Sequence, residues 1–342
     1  MERFELAVIG GGPAGLAAAL EARQNGIERI ILFERERELG GILQQCVHSG
    51  FGLHLFKEEL TGPEYAERFI ESVRQSDIVC KTDTTVLEIS GDRTVKAVNA
   101  ADGFMEIGAD ALILATGCRE RTREAIGIPG DRPAGIFTAG SAQRFMNLEG
   151  YRIGKRAVIL GSGDVGLIMA RRLTLEGSEV AAVVEAMPAP SGLNRNVIQC
   201  LDDFGIPLLL SHTVISTIGK ERLEGVRIAQ VDSRMQPIAG TESLIPCDAL
   251  LVSVGLIPEN ELALQAGIST HEDSHGLAVD ERMQTDAEGI FACGNAVSIH
   301  SLADYVTVQG RLAGRSAASF ILDRRGRTEL EPMYQDGRHT AK

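Results

Sequence analysis

One pattern of glycines occurs twice in this chain, and the repeat constrains the possible fold more than any other feature. Each copy has a short apolar run, the pattern Gly-x-Gly-x-x-Gly, and then a stretch of helical character. The two sets of glycines are Gly10, Gly12 and Gly15, and Gly161, Gly163 and Gly166. A second apolar run ends at Glu34 in the first copy and at Glu185 in the second, 24 residues after the first glycine in both. The shared spacing predicts two β-α-β units.

The chemistry of this pattern is that of dinucleotide binding. The first glycine permits a tight turn, the second lets the backbone approach a pyrophosphate, and the third lets helix and strand pack closely. The free N–H groups and the dipole of the helix N-terminus favour an anion at the same place. Glu34 and Glu185 are placed to accept hydrogen bonds from an adenosine ribose. We therefore predict one dinucleotide at each unit.

Each half of the chain also contains a later apolar strand that runs into a glycine. The strands are "GADALILATG", which ends at Gly117, and "PCDALLVSVG", which ends at Gly255. Each follows its own glycine-rich unit, so both halves have the order expected of a nucleotide-binding domain. The sequence thus predicts an α/β protein with two Rossmann-like dinucleotide-binding domains.

The charge and the cysteine spacing exclude several other classes of function. The 342 residues carry a formal net charge of −13, which disfavours nucleic acid or an anionic membrane as the main partner. No apolar run approaches the ~20 residues of a membrane span, and no signal peptide precedes the first glycine loop, so we expect a cytoplasmic protein. The six cysteines are never closer than 34 residues, which excludes a Cys-x-x-Cys pair and clustered metal ligands. No metal site is predicted.

In these motifs the chain resembles the FAD/NAD-linked pyridine nucleotide oxidoreductases. The likeness is carried by "GGGPAG" at 10–15, Glu34 with Gly40-Gly41, "ATG" at 115–117, the second glycine pattern, and "TDAEGIFACGN" at 285–295. It implies FAD in the first unit and NAD(H) in the second, with the NAD domain inserted into a discontinuous FAD domain. The expected divisions are residues 1–122 and 259–325 for FAD, 123–258 for NAD(H), and 326–342 for a polar C-terminal tail.

The resemblance also implies which residues contact the cofactors. For FAD these are Gly10, Gly12, Pro13, Ala14, Gly15, Glu34, Arg35, Gly41, Ile42, Val86, Ala115, Thr116, Gly117, Gly294, Asn295, Val308 and Gln309. For NAD(H) they are Gly161, Gly163, Asp164, Val165, Gly166, Glu185 and Gly255. Val86 would meet the adenine through its backbone. A helix that begins near Thr307 would direct its N-terminus at the flavin, with backbone contacts from Val308 and Gln309.

Asn295 departs from the family's usual pattern. The resemblance implies an aspartate there, whose carboxylate binds a ribityl hydroxyl of FAD. An amide keeps an acceptor and adds donors but loses the charge. We therefore expect the contact to persist.

The choice between NADH and NADPH rests on Glu185. A carboxylate accepts from a ribose 2′-hydroxyl but repels a 2′-phosphate, which is usually bound by arginines. The residues that follow, "AMPAPSG", contain no cation, and Arg195 is the first one along the chain. The sequence favours NADH.

The segment "GGILQQCVHSGFG" contains one cysteine, Cys46, where related disulfide reductases carry two. Dithiol exchange needs a resolving thiol, so this segment is predicted to be a flavin-contacting loop with Cys46 as a small lining residue. A lone thiolate that cycles with sulfenic acid is the alternative. His48, His54 and His300 are expected to be surface or loop residues, and no catalytic residue is assigned.

Two longer segments, 40–69 and 115–151, resemble a branch whose members are subunits of multi-component dehydrogenases, among them glycerol-3-phosphate-type dehydrogenases, sarcosine and opine oxidases, and hydrogen cyanide synthase. This implies a flavoprotein that passes electrons between NADH, FAD and a partner subunit. Two alternatives stay open: a self-contained NADH oxidase or peroxidase acting through flavin and Cys46, and a scaffold subunit with a silent NAD site. A homodimer is also left open.

Overall fold

The computed structural model describes residues 1–335, with side chains as far as residue 326. The chain forms two compact units, of which one comprises Met1–Cys118 and the chain from Pro258 onward. The other comprises Arg119–Ile257. This confirms the predicted fold class, an α/β protein of two Rossmann-like domains with the second inserted into the first. The finer domain boundaries given above stay predictions.

The helices and strands follow one another in a mixed order. Within residues 1–335 the α-helices are α1 (Pro13–Gln24), α2 (Gly62–Arg74), α3 (Ala139–Asn147), α4 (Asp164–Leu175), α5 (Asn194–Cys200), α6 (Glu261–Gln265) and α7 (Ala303–Gln335). The strands are β1 (Glu2–Ile9), β2 (Ile30–Phe33), β3 (Ser49–Phe51), β4 (Leu60–Thr61), β5 (Val79–Lys81), β6 (Thr85–Ile89), β7 (Thr94–Asn99), β8 (Gly103–Leu114), β9 (Cys118–Glu120), β10 (Ile136–Thr138), β11 (Arg156–Leu160), β12 (Glu179–Glu185), β13 (Leu208–Leu210), β14 (His212–Ile218), β15 (Gly225–Gln230), β16 (Ser243–Pro246), β17 (Ala249–Val252), β18 (Leu256–Pro258) and β19 (Ile290–Ala292).

The first unit is built on a seven-stranded sheet in the order β5-β2-β1-β8-β7-β6, with β19 also paired to β8. Strands β5, β2, β1, β8 and β19 are parallel, whereas β7 and β6 add antiparallel pairs. The buried strand β2 reads as one continuous apolar run, Ile30–Phe33, as expected of a parallel strand covered on both faces. The carboxyl ends of β1, β8 and β19 therefore meet at one edge, where the first glycine loop lies.

The second unit has a five-stranded parallel sheet in the order β10-β17-β11-β12-β13, and a three-stranded antiparallel sheet in the order β14-β15-β16. The strand β11 lies between β17 and β12, with Leu160 paired to Val252 and Val184. This order places the second glycine loop, the end of β17 and Glu185 at the same carboxyl edge of the sheet. Ligands of open parallel sheets bind at such edges.

Helix α7 begins at Ala303, so the predicted start near Thr307 is wrong by one turn. The run Val306-Thr307-Val308 is β-branched and favours strands, which hides the first turn in the sequence. Asp304 in that turn favours the helix through the dipole. The helix continues to Gln335, past the predicted boundary at 325. The predicted tail, 326–342, is thus helical in its first part, and residues 336–342 lie outside the described residues.

Among residues 1–335, no helix combines the length and the apolar character that crossing a membrane requires.

Candidate functional site

The first glycine loop joins the end of β1 to α1 through contacts that only glycine permits. Gly10 has a φ of +107°, and a Cβ there would lie 2.2 Å from the carbonyl oxygen of Ala115. A Cβ on Gly15 would lie 1.8 Å from the carbonyl oxygen of Gly10. By contrast, a Cβ on Gly12 would meet nothing within 4 Å. Backbone atoms therefore fill the space beside Gly10 and Gly15, whereas the space beside Gly12 is open. A pyrophosphate is predicted to lie beside Gly12.

The N-terminus of α1 is suited to an anion. Its N-cap is Gly12, no described side chain caps it, and its first turn contains no acidic residue. Pro13 occupies the first helical position, where its missing N–H costs no hydrogen bond. The remaining free N–H groups of the first turn, including those of Ala14 and Gly15, are available to phosphate oxygens.

Glu34 is held at the end of β2 by the backbone of two loops. Its Oε2 accepts from the N–H of Gly11 at 2.8 Å, and its Oε1 accepts from the N–H of Glu36 at 2.9 Å. The side chain is only 5% exposed. Because a carboxylate has acceptor capacity for about four hydrogen bonds, Glu34 retains capacity for ribose hydroxyls.

The loop that contains Gly40 and Gly41 lies directly against the first glycine loop. The N–H of Gly40 donates to the carbonyl oxygen of Gly11 at 2.8 Å. A Cβ on Gly41 would come within 3.0 Å of the Cα of Gly12. The structure therefore brings together the pyrophosphate loop, Glu34 and the segment predicted to contact flavin.

The third part of the first site comes from the far end of the chain. A Cβ on Gly294 would lie 2.9 Å from the Cβ of Ala14, and the N–H of Gly294 donates to Oε1 of Gln309 at 3.0 Å. Asn295 donates through Nδ2 to Sγ of Cys118 at 3.4 Å and accepts at Oδ1 from the N–H of His300 at 3.0 Å. Its amide is thus oriented by the protein, with one acceptor direction left on Oδ1.

The observed start of α7 changes the backbone contacts that we expect of Val308 and Gln309. With α7 starting at Ala303, the N–H groups of Val308 and Gln309 lie in its second turn, where helical hydrogen bonds occupy them. Gln309 reaches the site through its side chain instead, by way of Gly294. The exposed N–H groups of this helix belong to the turn that begins at Ala303.

The other residues predicted for FAD occupy varied positions around this edge. Ala115, Thr116 and Gly117 follow directly after β8, and Gly117 has a φ of +74° with open space beside its Cα. Val86 is half-buried in β6 and pairs with Ala97. Arg35 is exposed, and Ile42 is 61% exposed in the turn that follows Gly40. Their contacts with FAD stay predictions.

The second glycine loop repeats the construction of the first. Gly161 has a φ of +97°, and a Cβ there would lie 2.1 Å from the carbonyl oxygen of Ser253. A Cβ on Gly166 would lie 2.9 Å from the carbonyl oxygen of Gly161. Gly163 is the N-cap of α4, and no described side chain caps this helix either. The geometry again fits a phosphate group.

Three other residues predicted for NAD(H) lie around this loop. Asp164 is an acidic residue in the first turn of α4, unlike any in the first turn of α1, and its Oδ1 accepts from the N–H of Leu193 at 2.8 Å and from Nδ2 of Asn196 at 2.7 Å. Val165 is partly buried and packs against the hydrophobic core. Gly255 has a φ of +108°, and a Cβ there would meet Cδ and Nε of Arg121 at 3.9 Å, which is an ordinary contact distance.

Glu185 is bound by more donors than Glu34. Its Oε2 accepts from the N–H of Ser162 at 2.9 Å, from Oγ of Ser162 at 2.5 Å and from Oγ of Ser191 at 3.4 Å. Its Oε1 accepts from the N–H of Met187 at 2.8 Å. The backbone N–H of Gly192 donates to the carbonyl oxygen of Ser162 at 2.9 Å, as that of Gly40 does to Gly11 in the first loop.

Sequence reasoning missed Ser162, Ser191 and Gly192. A signal was present: Gly192 follows Glu185 by seven residues, and Gly40 follows Glu34 by six. The serines gave no such signal, because their role depends on which side-chain atoms meet in three dimensions.

Cys46 does not have the properties of a reactive thiol. Burial raises the pKa of its thiol to about 12, and its Sγ donates to the carbonyl oxygen of Ile42 at 3.3 Å. A thiol with such a pKa is protonated at neutral pH and is a poor nucleophile. Burial raises the pKa of Cys293, at the end of the "ACG" motif, to about 12 as well. The geometry supports Cys46 as a lining residue.

The three histidines lie near the start of α7 or the β3–β4 hairpin. His54 stacks on Tyr305, with ring centroids 6.1 Å apart. His300 bonds through Nε2 to Oγ of Ser298 at 3.0 Å, and His48 packs beside Phe51. None of these contacts assigns a catalytic role.

Comparisons with known proteins agree with this geometry. The hydrogen cyanide synthase component HcnB of Pseudomonas protegens is 26% identical over 96% of this chain and 72% of its own length. An opine oxidase subunit of Rhizobium meliloti is 28% identical over 92% of this chain, which spans 62% of that protein. The crystal structure of T. acidophilum thioredoxin reductase superposes with a TM-score of 0.77 at 22% identity, covering 93% of this chain and 99% of that one. The likeness to thioredoxin reductase shows a similar fold.

The family profile of the pyridine nucleotide-disulphide oxidoreductases matches residues 4–317, which include both glycine loops, both glutamates and the Gly294 motif. The FAD and NAD(P)H of this family are the two dinucleotides that the loops fit. The chain belongs to the pyridine nucleotide-disulphide oxidoreductase family and is an FAD-dependent oxidoreductase of nicotinamide dinucleotides.

Proposed function

We propose that this protein passes electrons between NADH, its bound FAD and a partner subunit of a multi-component dehydrogenase. The observation that carries the proposal is the pair of complete dinucleotide loops combined with a half-buried Cys46 whose thiol has a raised pKa. Such a chain has the groups needed to exchange electrons between two cofactors but no dithiol to pass them to a disulfide. A partner protein is the acceptor or donor that we propose for these electrons.

In this proposal, the residues of the chain bind the two dinucleotides and orient them. Glu34 and Glu185 receive the adenosine riboses, and the uncapped N-termini of α1 and α4 receive the two pyrophosphates. When bound, FAD supplies the acceptor for a hydride from NADH, which leaves as NAD⁺. No acid–base residue is required for a hydride transfer, since the protein contributes orientation and electrostatics.

The preference for NADH follows from Glu185. Its carboxylate is held at the end of β12 by four donors, and the next residues along the chain up to Asn194 contain no cation. A 2′-phosphate would place two negative charges beside this carboxylate. NADPH is therefore expected to bind much more weakly than NADH.

The partner protein is supported by the relatives. HcnB and the opine oxidase relative are both named as subunits, and this chain spans 72% and 62% of their respective lengths. A cytoplasmic location suits the six free cysteines, because thiols stay reduced there.

An anaerobic titration of the FAD-loaded protein tests the proposal. We expect NADH to bleach the flavin absorbance at one equivalent, and NADPH to have little effect at the same concentration. The reduced flavin should then persist for minutes when air or hydrogen peroxide is admitted. A flavin that NADH cannot reduce would favour the silent scaffold. Rapid turnover of oxygen or peroxide, abolished in Cys46→Ser, would favour the self-contained oxidase or peroxidase.

A further inference from the structure

Ser162 occupies the second position of the second glycine loop and lies entirely out of solvent, with 0% of its surface exposed. A buried hydroxyl is costly unless it is hydrogen-bonded, so its partners indicate why it is there. The hydroxyl donates to Oε2 of Glu185 at 2.5 Å and accepts from the N–H of Ser191 at 2.9 Å. It thereby connects the carboxylate to the loop that follows β12.

The second serine completes this network. Oγ of Ser191 lies 3.3 Å from Oγ of Ser162 and 3.4 Å from Oε2 of Glu185. The N–H and the hydroxyl of Ser162 already occupy the about two lone-pair directions of Oε2, and the hydroxyl of Ser191 adds a longer contact to the same cluster. Oε1, which accepts from the N–H of Met187, keeps one direction for a ligand.

The first unit shows what the same site is like without these serines. Glu34 is bound by two backbone N–H groups, those of Gly11 and Glu36, and Gly11 stands where Ser162 stands. A Cβ on Gly11 would lie 2.8 Å from Cδ2 of Leu39 and 3.0 Å from Oε2 of Glu34, so a side chain there would require both of these side chains to shift. The hydroxyl network is thus an addition to the second site.

We propose that Ser162 and Ser191 are the positioning residues for coenzyme selectivity: they fix the orientation of Glu185 so that it accepts one hydroxyl of the adenosine ribose and repels a 2′-phosphate. This rests on the proposed use of NADH. A carboxylate free to rotate could move away from a 2′-phosphate, whereas Oε2 of Glu185 cannot move without breaking its two hydrogen bonds from Ser162 and the longer contact with Ser191. Selectivity then depends on the serines as well as on the glutamate.

The experiment is calorimetric titration of the FAD-loaded protein with NAD⁺ and NADP⁺, neither of which can reduce the flavin. The measured quantity is the dissociation constant of NADP⁺ divided by that of NAD⁺. A general loss of stability weakens the binding of both ligands and so leaves this ratio unchanged. The ratio should fall about tenfold in Ser162→Ala and in Ser162→Gly, which corresponds to about 1.4 kcal/mol. Ser191→Ala, which loses a longer contact, should lower it about twofold to threefold.

Ser178→Ala is the matched control. Ser178 is also a buried serine, it precedes the same strand β12, and it donates to the carbonyl oxygen of Gly154 at 2.7 Å at the opposite edge of the sheet. Its replacement should leave the ratio unchanged. A second control is the pair Glu185→Ala and Glu185→Ala with Ser162→Ala, whose ratios should agree, because the serine acts only through the carboxylate.

The outcomes separate this inference from the function on which it rests. A wild-type protein that binds neither dinucleotide, or prefers NADP⁺, overturns the proposed use of NADH and the role of the serines with it. A wild-type preference for NAD⁺ with a ratio that stays within twofold in both Ser162 variants overturns the inference alone. A fall in the ratio that is equally large in Ser178→Ala, or that persists without Glu185, overturns it as well.

Discussion

The two β-α-β units of this chain use the same backbone hydrogen bonds at the same places. In the first unit the N–H of Gly10 donates to the carbonyl oxygen of Phe33 at 2.8 Å, and in the second that of Gly161 donates to Val184 at 2.7 Å. The residue that follows the later strand of each unit also bonds in the same way. The N–H of Ala115 donates to the carbonyl oxygen of Ile9 at 2.8 Å, and the N–H of Ser253 donates to that of Leu160 at 2.7 Å. The backbone of a dinucleotide loop is therefore the same in the two units, although few of its side chains are.

The units differ in how closely their parts approach. A Cβ on Gly15 would lie 1.8 Å from the carbonyl oxygen of Gly10, whereas the equivalent distance from Gly166 to Gly161 is 2.9 Å. At the second loop position, a Cβ on Gly11 would crowd the side chains of Leu39 and Glu34, whereas the second unit accommodates Ser162. The difference teaches that the backbone scheme defines a dinucleotide site, while the space left around it decides whether side chains can refine its selectivity.

The largest effect should come from the third glycine of the tighter loop. Gly15→Ala would force a methyl group into a backbone carbonyl that cannot withdraw, and we expect a loss of about 3 kcal/mol or more, with little FAD retained. Gly166→Ala should cost clearly less and leave the FAD content unchanged. The measurements are the flavin-to-protein absorbance ratio after gel filtration and the thermal unfolding midpoint. Equal losses in the two variants would show that the difference in spacing has no energetic meaning.

A second large effect should come from the contact between α7 and α1 in the first unit. A Cβ on Gly314 would lie 2.2 Å from the carbonyl oxygen of Ala18, so Gly314→Ala should destabilise by about 2–3 kcal/mol. Gly326→Ala is the control in the same helix, because a Cβ there meets nothing within 4 Å. It should stabilise by about 0.5–1 kcal/mol through helix propensity alone. Denaturant unfolding followed by flavin fluorescence gives both values, and the same sign for both variants would contradict the packing argument.

A smaller effect on the free energy of unfolding is expected at the N-caps of α2 in the first unit and α3 in the second. Thr61 begins α2 with a reciprocal capping box, in which its N–H donates to Glu64 at 2.8 Å. Thr138 accepts from the N–H of Ser141 at 3.3 Å at the start of α3, where Glu120 also accepts from the N–H of Gly140 at 2.7 Å. Thr61→Ala and Thr138→Ala should each cost about 1 kcal/mol, with the loss at Thr61 the greater. Chemical denaturation of each variant tests the order, and Thr→Ser at each position should restore most of the loss.

The smallest effect is expected at the cysteines that follow the two glycine loops. Burial raises the pKa of Cys46 to about 12 and raises that of Cys200 in the second unit. At pH 8 the thiolate fraction of Cys46 is therefore on the order of 1 in 10,000, and its alkylation should speed up as the pH rises towards 12. Iodoacetamide with mass spectrometry should leave both thiols unmodified in the native protein and label them after denaturation. Fast labelling of native Cys46 would reopen a chemical role for it.

Much of this structure could be predicted from the sequence because glycine spacing encodes backbone geometry directly. The pattern at Gly10 and Gly161 requires a tight turn between strand and helix, and the 24-residue interval brings Glu34 and Glu185 back to that turn. The start of α7 was misjudged because β-branched residues in its first turns favour strands locally, whereas the packing of Gly310 and Gly314 on α1 decides the outcome. The serine network around Glu185 could not be predicted, since it joins residues 29 positions apart through hydroxyl groups without any periodic signal.

The contact of Gly310 and Gly314 with the carbonyl oxygens of Ala14 and Ala18 also determines the order of events during synthesis. The α1 helix leaves the ribosome early, but the surface that covers it is translated almost three hundred residues later. The residues of the second unit, from Arg119 to Ile257, are contiguous and have emerged before then. The second unit can therefore fold on the ribosome before the first is complete, and the first glycine loop stays partly uncovered until the segment with Gly310 and Gly314 has emerged.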